Sequence, residues 1–213
     1  MDCHVKIYLI IFYRPKQVAT IRPMKAFLIP GSGEDLKSRD YAAVLKMYKS
    51  LGYEPHFVPV NWNYRTIDDW IEQVEAEIPP KEIQNSLLSG FSFGSMIALG
   101  LAAKTNPEKL LLFSLSPYFK EDFPLAHEYT KWAGKRRVKT FKSFSMNVLA
   151  EKVNSPTMIF IGKKEIDKYK DMEIRSRTAH QKLGKSELIV VSDVGHDVSD
   201  PKYIEAIRGT LQR

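Results

Sequence analysis

The chain has 213 residues, of which 44% are hydrophobic and 11% aromatic, and its formal net charge is +7. That length accommodates one compact α/β domain, and the apolar content supplies a sizeable core, so a disordered chain is excluded and a second domain is not required. The single cysteine, Cys3, cannot form an internal disulfide, which removes disulfide-stapled folds and makes a cytoplasmic setting the expectation.

Near the N-terminus the apolar run from Val5 to Phe12 is too short to span a bilayer, for which roughly 18 to 20 residues are needed. It also lacks the basic lead and small-residue cleavage site of a signal peptide. It reads as an edge strand, or residues 1–23 read as an extension with Met24 as an alternative start. Residues 24–213 then form the domain. Lys25 to Pro30 is a buried strand stopped by Gly31-Ser32-Gly33. Tyr41, Val44, Leu45, Tyr48 and Leu51 recur at helical spacing, and Gly52 sits where a C-cap would need positive φ. His56 to Val60 is a short strand whose Pro59 suits a sheet edge or a strand end. Ile67, Trp70, Ile71, Val74 and Ile78 define a second helix, ended at Pro79-Pro80. Ser86 to Ser89 is strand-like, and the all-apolar stretch Met96 to Ala103 reads as a helix buried against the sheet. Further strands are expected at Leu110 to Leu115, Thr157 to Ile161 and Glu187 to Val191, with a closing helix through Tyr203, Ile204, Ile207 and Leu211. Short apolar runs alternating with amphipathic stretches give a mostly parallel central sheet flanked by helices, an α/β fold.

The excess positive charge has a focus in Lys131, Lys135, Arg136, Arg137, Lys139 and Lys142. Such a run raises nucleic acid or an anionic surface as partners. No nucleic-acid-binding module accompanies it, so it reads as a solvated basic face, with no nucleic-acid partner and no stable membrane insertion expected.

Between the strand at Ser86 and the apolar helix lies Gly90-Phe91-Ser92-Phe93-Gly94, a G-x-S-x-G segment. A sharp strand-to-helix turn there lifts the Ser92 hydroxyl above the sheet edge, and the helix N-terminus favours negative charge on a carbonyl oxygen under attack. The segment carries neither G-x-x-x-x-G-K-[ST] nor G-x-G-x-x-G, which disfavours nucleotide binding. A serine hydroxyl needs a base. His196 follows a strand within Val194-Gly195-His196-Asp197, whereas His4, His56, His127 and His180 suit structural or surface roles. A carboxylate should orient the base. Glu165 and Asp167, after the strand ending at Ile161, are the candidates, and Asp193 and Asp197 rank behind them because they share the histidine's own loop.

Pro30-Gly31-Ser32 after a strand, the elbow at Ser92, the acidic segment after Gly162 and Gly195-His196 together resemble the α/β-hydrolase superfamily of esterase- and lipase-like serine hydrolases, in the order Ser, acid, His, from Lys25 onward. The resemblance implies an acid three residues past Gly162, which is Glu165, although Asp is the commoner residue and Asp167 stays open. It implies an oxyanion hole from the Phe93 N–H and one donor after the first strand, Ser32, with Gly31 or Gly33 as substitutes. It also implies a small cap inserted at about 118–155, whose aromatics mostly pack onto the core. The activity implied is that of a carboxylesterase acting on a small-molecule ester, with short to medium acyl chains, through an acyl-enzyme. It needs no metal or organic cofactor, and no zinc-like Cys/His cluster is present. Thioesterase, lipase or acyltransferase chemistry on the same triad is the alternative, and a non-catalytic binding protein with this fold is the reading from another class.

Overall fold

A computed structural model describes residues 23–123 and 133–213. The N-terminal run from Val5 to Phe12, Cys3, His4, His127, Tyr129, Lys131 and Trp132, on which expectations were placed, lie outside the described residues. Six strands form one sheet: β1 (Lys25–Ile29), β2 (Glu54–Phe57), β3 (Ser86–Phe91), β4 (Lys109–Phe113), β5 (Thr157–Gly162) and β6 (Ser186–Val191). Their order is β2-β1-β3-β4-β5-β6, and every neighbouring pair is parallel.

Period-two alternation sends successive side chains of a strand to opposite faces, and here both faces are apolar. On β4, Leu110 and Leu112 face one layer while Leu111 and Phe113 face the other, all four fully buried. Each such side chain contributes roughly 2 kcal/mol of burial. One layer is covered by α1 (Tyr41–Ser50) and α9 (Pro201–Leu211), through Tyr41, Val44, Met47, Tyr48, Tyr203 and Ile207. The other is covered by α2 (Ile67–Glu77) and α4 (Phe93–Thr105), through Trp70, Ile71, Val74, Ile97 and Leu101. α4 is buried on every side from Phe93 to Ala102, because β3 lies beneath it and α2 and neighbouring helices lie around it.

Two sequence expectations need adjusting. Pro79-Pro80 ends α2, but Pro80 also opens a short helix, α3 (Pro80–Gln84), since a proline's missing N–H costs nothing in a first turn. β2 stops at Phe57, before Pro59, and pairs only with β1, so the proline lies beyond an edge strand.

Between β4 and β5 the described residues hold a single 3-10 turn at Lys120–Asp122, then α5 (Gly134–Phe141) and α6 (Met146–Ala150). Phe119, Phe141 and Phe144 are buried, with Phe141 against Trp70. The carboxylate of Asp122, itself buried, pairs with the buried guanidinium of Arg175 on α8 (Lys170–Lys182). This bond ties the segment after β4 to the helix that forms one wall of the cleft described next. No helix among the described residues is long and apolar enough to cross a membrane.

Candidate active site

The chain moves outward in both directions from β1, first to β2 and then to β3, so a crevice opens at the carboxyl ends of β1 and β3 where the winding reverses. Ser92 stands at the end of β3 as the N-cap of α4, with φ 55° and ψ −117°. A non-glycine residue rarely adopts positive φ, and strain of this kind persists only where the surroundings enforce it. The two flanking glycines are needed for close approach. A Cβ on Gly90 would lie 2.1 Å from the Gly94 carbonyl oxygen, and one on Gly94 would lie 2.4 Å from the carbonyl oxygens of both Ile29 and Pro30. The Ser92 N–H donates to Phe113 O at 2.8 Å, which pins the turn to β4.

β5 ends at Gly162, and the residues after it form a short helix, α7 (Lys163–Lys168), rather than a loop. A helix turns about 100° per residue, so positions 165 and 167 face roughly opposite ways. Glu165 points inward and is 1% exposed. Its Oε1 accepts from His196 Nδ1 at 2.6 Å, and its Oε2 accepts from Ser114 Oγ at 2.7 Å and from the Gly162 N–H at 2.8 Å. Asp167 points out and pairs with Lys163 on the same exposed face, so it is not the group that meets the imidazole. Asp193 pairs with Lys202 at 3.0 Å and Asp197 with Arg39 at 3.0 Å; neither reaches the imidazole's Nδ1.

His196 sits on the loop after β6, its ring packed against Phe91 at 4.6 Å between centroids. A carboxylate can only accept, so Nδ1 carries the proton and Nε2 keeps its lone pair. The loop reaches Glu165 because Gly162 has no side chain: a Cβ there would stand 2.4 Å from Val194 O. The Lys164 N–H bonds that same oxygen at 2.9 Å. Ser114, which supports Glu165, is itself at φ 50°, a second strained residue at this end of the sheet.

Ser92, His196, Phe93, Ser116, Pro117, Tyr118, Tyr169, Asp171 and Met172 line one cleft of about 240 Å³. The Ser92 hydroxyl is bonded to the Ser116 hydroxyl at 3.1 Å. Gly31 and Ser32 do not line the cleft. The Gly31 N–H donates to Tyr41 Oη at 2.9 Å, which takes Gly31 out of the running as a free donor. Ser32 is exposed at the tip of the turn after β1.

No protein-family model and no curated protein sequence matches the chain. Solved structures do. Est1E from Butyrivibrio proteoclasticus superposes with a TM-score of 0.73 at 14% identity, over 90% of this chain and 86% of that one. Alpha/beta hydrolase domain-containing protein 10 from mouse gives 0.70 at 15%, over 88% of each chain. MenH from S. aureus gives 0.64 at 13%, over 91% and 96%. This chain has the α/β-hydrolase fold.

Within that hydrolase fold, several neighbours of the site were not visible in the sequence. Ser114 and Ser116 follow a strand with no pattern to mark them, and Tyr41 reads only as a core position of α1. Glu34 and Arg39 fall in a polar turn without periodicity, yet both are held at the site by ion pairing at 2.7 Å. Arg39 is kept charged above its ordinary range: partial burial works against this, and hydrogen bonds and charge from Glu34 and Asp197 outweigh it. Burial, and then Glu34, push the Tyr41 hydroxyl well above the usual phenol range, so it stays a donor to Glu34. Among the described residues no group of three or more His, Cys, Asp or Glu could hold a metal ion.

Proposed function

We propose that this chain is a serine hydrolase, specifically a carboxylesterase for short- to medium-chain acyl esters, acting through an acyl-enzyme on Ser92. The observation that carries the reading is the 2.6 Å bond from His196 Nδ1 to the buried Glu165, with the same histidine and the strained Ser92 lining one cleft. Ser92 Oγ leaves Ser116 by rotation about its Cα–Cβ bond, gives its proton to His196 Nε2 and bonds to the ester carbonyl carbon. The carbonyl π electrons move to oxygen, which is met by the Phe93 N–H at the positive end of α4 and by a donor from the turn after β1. Gly31 is engaged by Tyr41, which leaves the N–H groups of Ser32 and Gly33 as the candidate donors from that turn. Collapse of the tetrahedral intermediate expels the alcohol with the proton held by His196. Water, deprotonated by the same imidazole, then hydrolyses the acyl-enzyme.

The cleft supports the substrate class. Its walls, Phe93, Pro117, Tyr118, Tyr169 and Met172, are largely apolar, and its volume is below the 300–1,000 Å³ of pockets that take drug-sized ligands. Among the structural neighbours, Est1E has been solved with ferulic acid bound, and another comes from work on carboxylesterases of Nitrososphaera gargenis. Hydrolysis of 4-nitrophenyl acetate, butyrate, octanoate and palmitate by the purified protein tests the reading. It requires turnover of the shorter esters, little of palmitate, and none above background with Ser92→Ala. Equal rates for the parent protein and Ser92→Ala would refute it.

A further inference from the structure

Arg39 belongs to none of the groups that sequence reasoning assigned, yet it joins the two loops on which the site depends. Its Nη1 donates to His196 O at 3.1 Å and to Asp197 Oδ1 at 3.0 Å. Its Nε and Nη2 donate to Glu34 Oε1 at 3.1 and 2.7 Å. The guanidinium lies 4.8 Å from the centre of the Phe91 ring, and that ring packs on the imidazole of His196. Glu34's other oxygen accepts from the Tyr41 hydroxyl, whose oxygen accepts the Gly31 N–H. A continuous chain of bonds therefore runs from the 31–34 turn, through Tyr41, Glu34 and Arg39, to the backbone of the histidine itself.

The arrangement suits a guanidinium and no other side chain. Four bonds leave three nitrogens of one rigid plane toward acceptors on two separate loops, a geometry an ammonium cannot reproduce. Arg39 and Glu34 have side chains only 21% and 18% exposed, so their pairing is screened less than that of a surface ion pair. We propose that Arg39 is a positioning residue for both halves of the reaction site, holding His196 in line with Ser92 and the 31–34 turn in place for the developing oxyanion. The proposal rests on the serine-hydrolase reading above.

Two consequences separate it from a merely structural role. The charged groups around His196 are Glu165 at Nδ1, Asp171 across the cleft, and Arg39 with its partners Glu34 and Asp197. Arg39→Ala removes the only cation of this set and leaves four carboxylates, which favours the imidazolium. Glu34→Gln removes a carboxylate and does the opposite. A misplaced base costs rate at the chemical step rather than in acyl binding, and a shift of 1 Å costs about 100-fold.

The experiment measures kcat and KM for 4-nitrophenyl butyrate across pH, together with the His196 imidazole titration followed by NMR, in Arg39→Ala, Arg39→Lys and Glu34→Gln. Thermal unfolding serves as the control for folding. Arg39→Ala is expected to lose about 30- to 100-fold in kcat with KM changed less than about threefold. Its acidic limb and imidazole titration should both move to higher pH, because a cation beside the imidazole is gone. Arg39→Lys should return the limb, because the cation is back, while recovering only part of kcat; Glu34→Gln should move the limb to lower pH. The proposal is overturned if Arg39→Ala keeps kcat within about threefold, or if the Ala and Gln variants shift the titration the same way or not at all. The NMR titration needs no turnover, and labelling of Ser92 in the parent protein reports separately on the hydrolase reading, so failure of one is not mistaken for failure of the other.

Discussion

Replacing Glu165 by Gln changes one atom and tests the orientation of the base. In the folded protein Oε2 accepts two bonds, from Ser114 Oγ and the Gly162 N–H, and Oε1 accepts one from His196 Nδ1. An amide has one accepting oxygen and one donating nitrogen. The oxygen goes to the side with two donors, since a donating NH₂ facing the Gly162 N–H would leave two buried donors opposed. The NH₂ then faces Nδ1, which must accept, and the ring proton moves to Nε2. In that tautomer His196 cannot take a proton from Ser92. The carboxylate-to-amide change at the corresponding point of a Ser-His-Asp triad costs about 10⁴ in kcat, equivalent to roughly 5.5 kcal/mol of barrier. The assay is kcat for 4-nitrophenyl butyrate at a pH where the parent protein is fully active. Glu165→Gln should fall by about 10³ to 10⁴ with KM little changed, while Asp167→Asn should stay within about threefold, because Asp167 is an exposed partner of Lys163. A Glu165→Gln protein within tenfold of the parent, or an equal loss in Asp167→Asn, would refute the assignment of the acid.

Gly162→Ala should place a methyl group against Val194 O, push the histidine loop away from Glu165 and cut kcat by about 100-fold or more; parent-like kinetics would show that the loop does not need this approach. Asp171, a half-buried carboxylate lining the cleft, should disfavour anionic acyl groups. Monoethyl succinate is expected to give about tenfold lower kcat/KM than ethyl butyrate, with the gap closing in Asp171→Asn; an unchanged ratio counts against it. Glu121 accepts from Ser145 Oγ and from the N–H groups of Met146 and Asn147 at the start of α6. Burial works to raise its carboxyl, but these bonds outweigh it and hold it below the ordinary range. A depressed folded-state value means stability that is fully present above the unfolded-state carboxyl range, near 4.3, and lost as pH falls through the folded-state value. Thermal unfolding measured from pH 6 to 3 should therefore fall less steeply in Glu121→Gln than in the parent, and parallel curves would exclude the contribution.

The strands were legible because parallel strands buried on both faces read as unbroken apolar runs, and β4 and β5 carry little else. The elbow was legible because Gly90 and Gly94 are dictated by backbone contacts, although the positive φ belongs to Ser92 itself and not to the glycines. The choice between Glu165 and Asp167 was not. A segment read as a loop gives no facing information, and only the turn of α7 sends one carboxylate inward and the other to solvent. The turn after β1 was located but not its bonding, since the bond from Gly31 to Tyr41 joins residues ten positions apart with no spacing rule between them. Arg39 was illegible for the same reason: it bonds His196 O and Asp197 on a loop 157 and 158 positions away, and it and Glu34 look like any charged residues in a polar turn until the fold brings that second loop against them.

The most direct test is covalent. The protein is treated with a fluorophosphonate, digested, and the modified residue located by mass spectrometry, alongside Ser92→Ala and His196→Ala. A phosphonyl adduct on the peptide bearing Ser92 is expected, absent in Ser92→Ala and slowed by at least about 10³ in His196→Ala. No adduct on the folded parent protein, or one that forms as fast without the imidazole, would contradict the proposal that His196 activates Ser92.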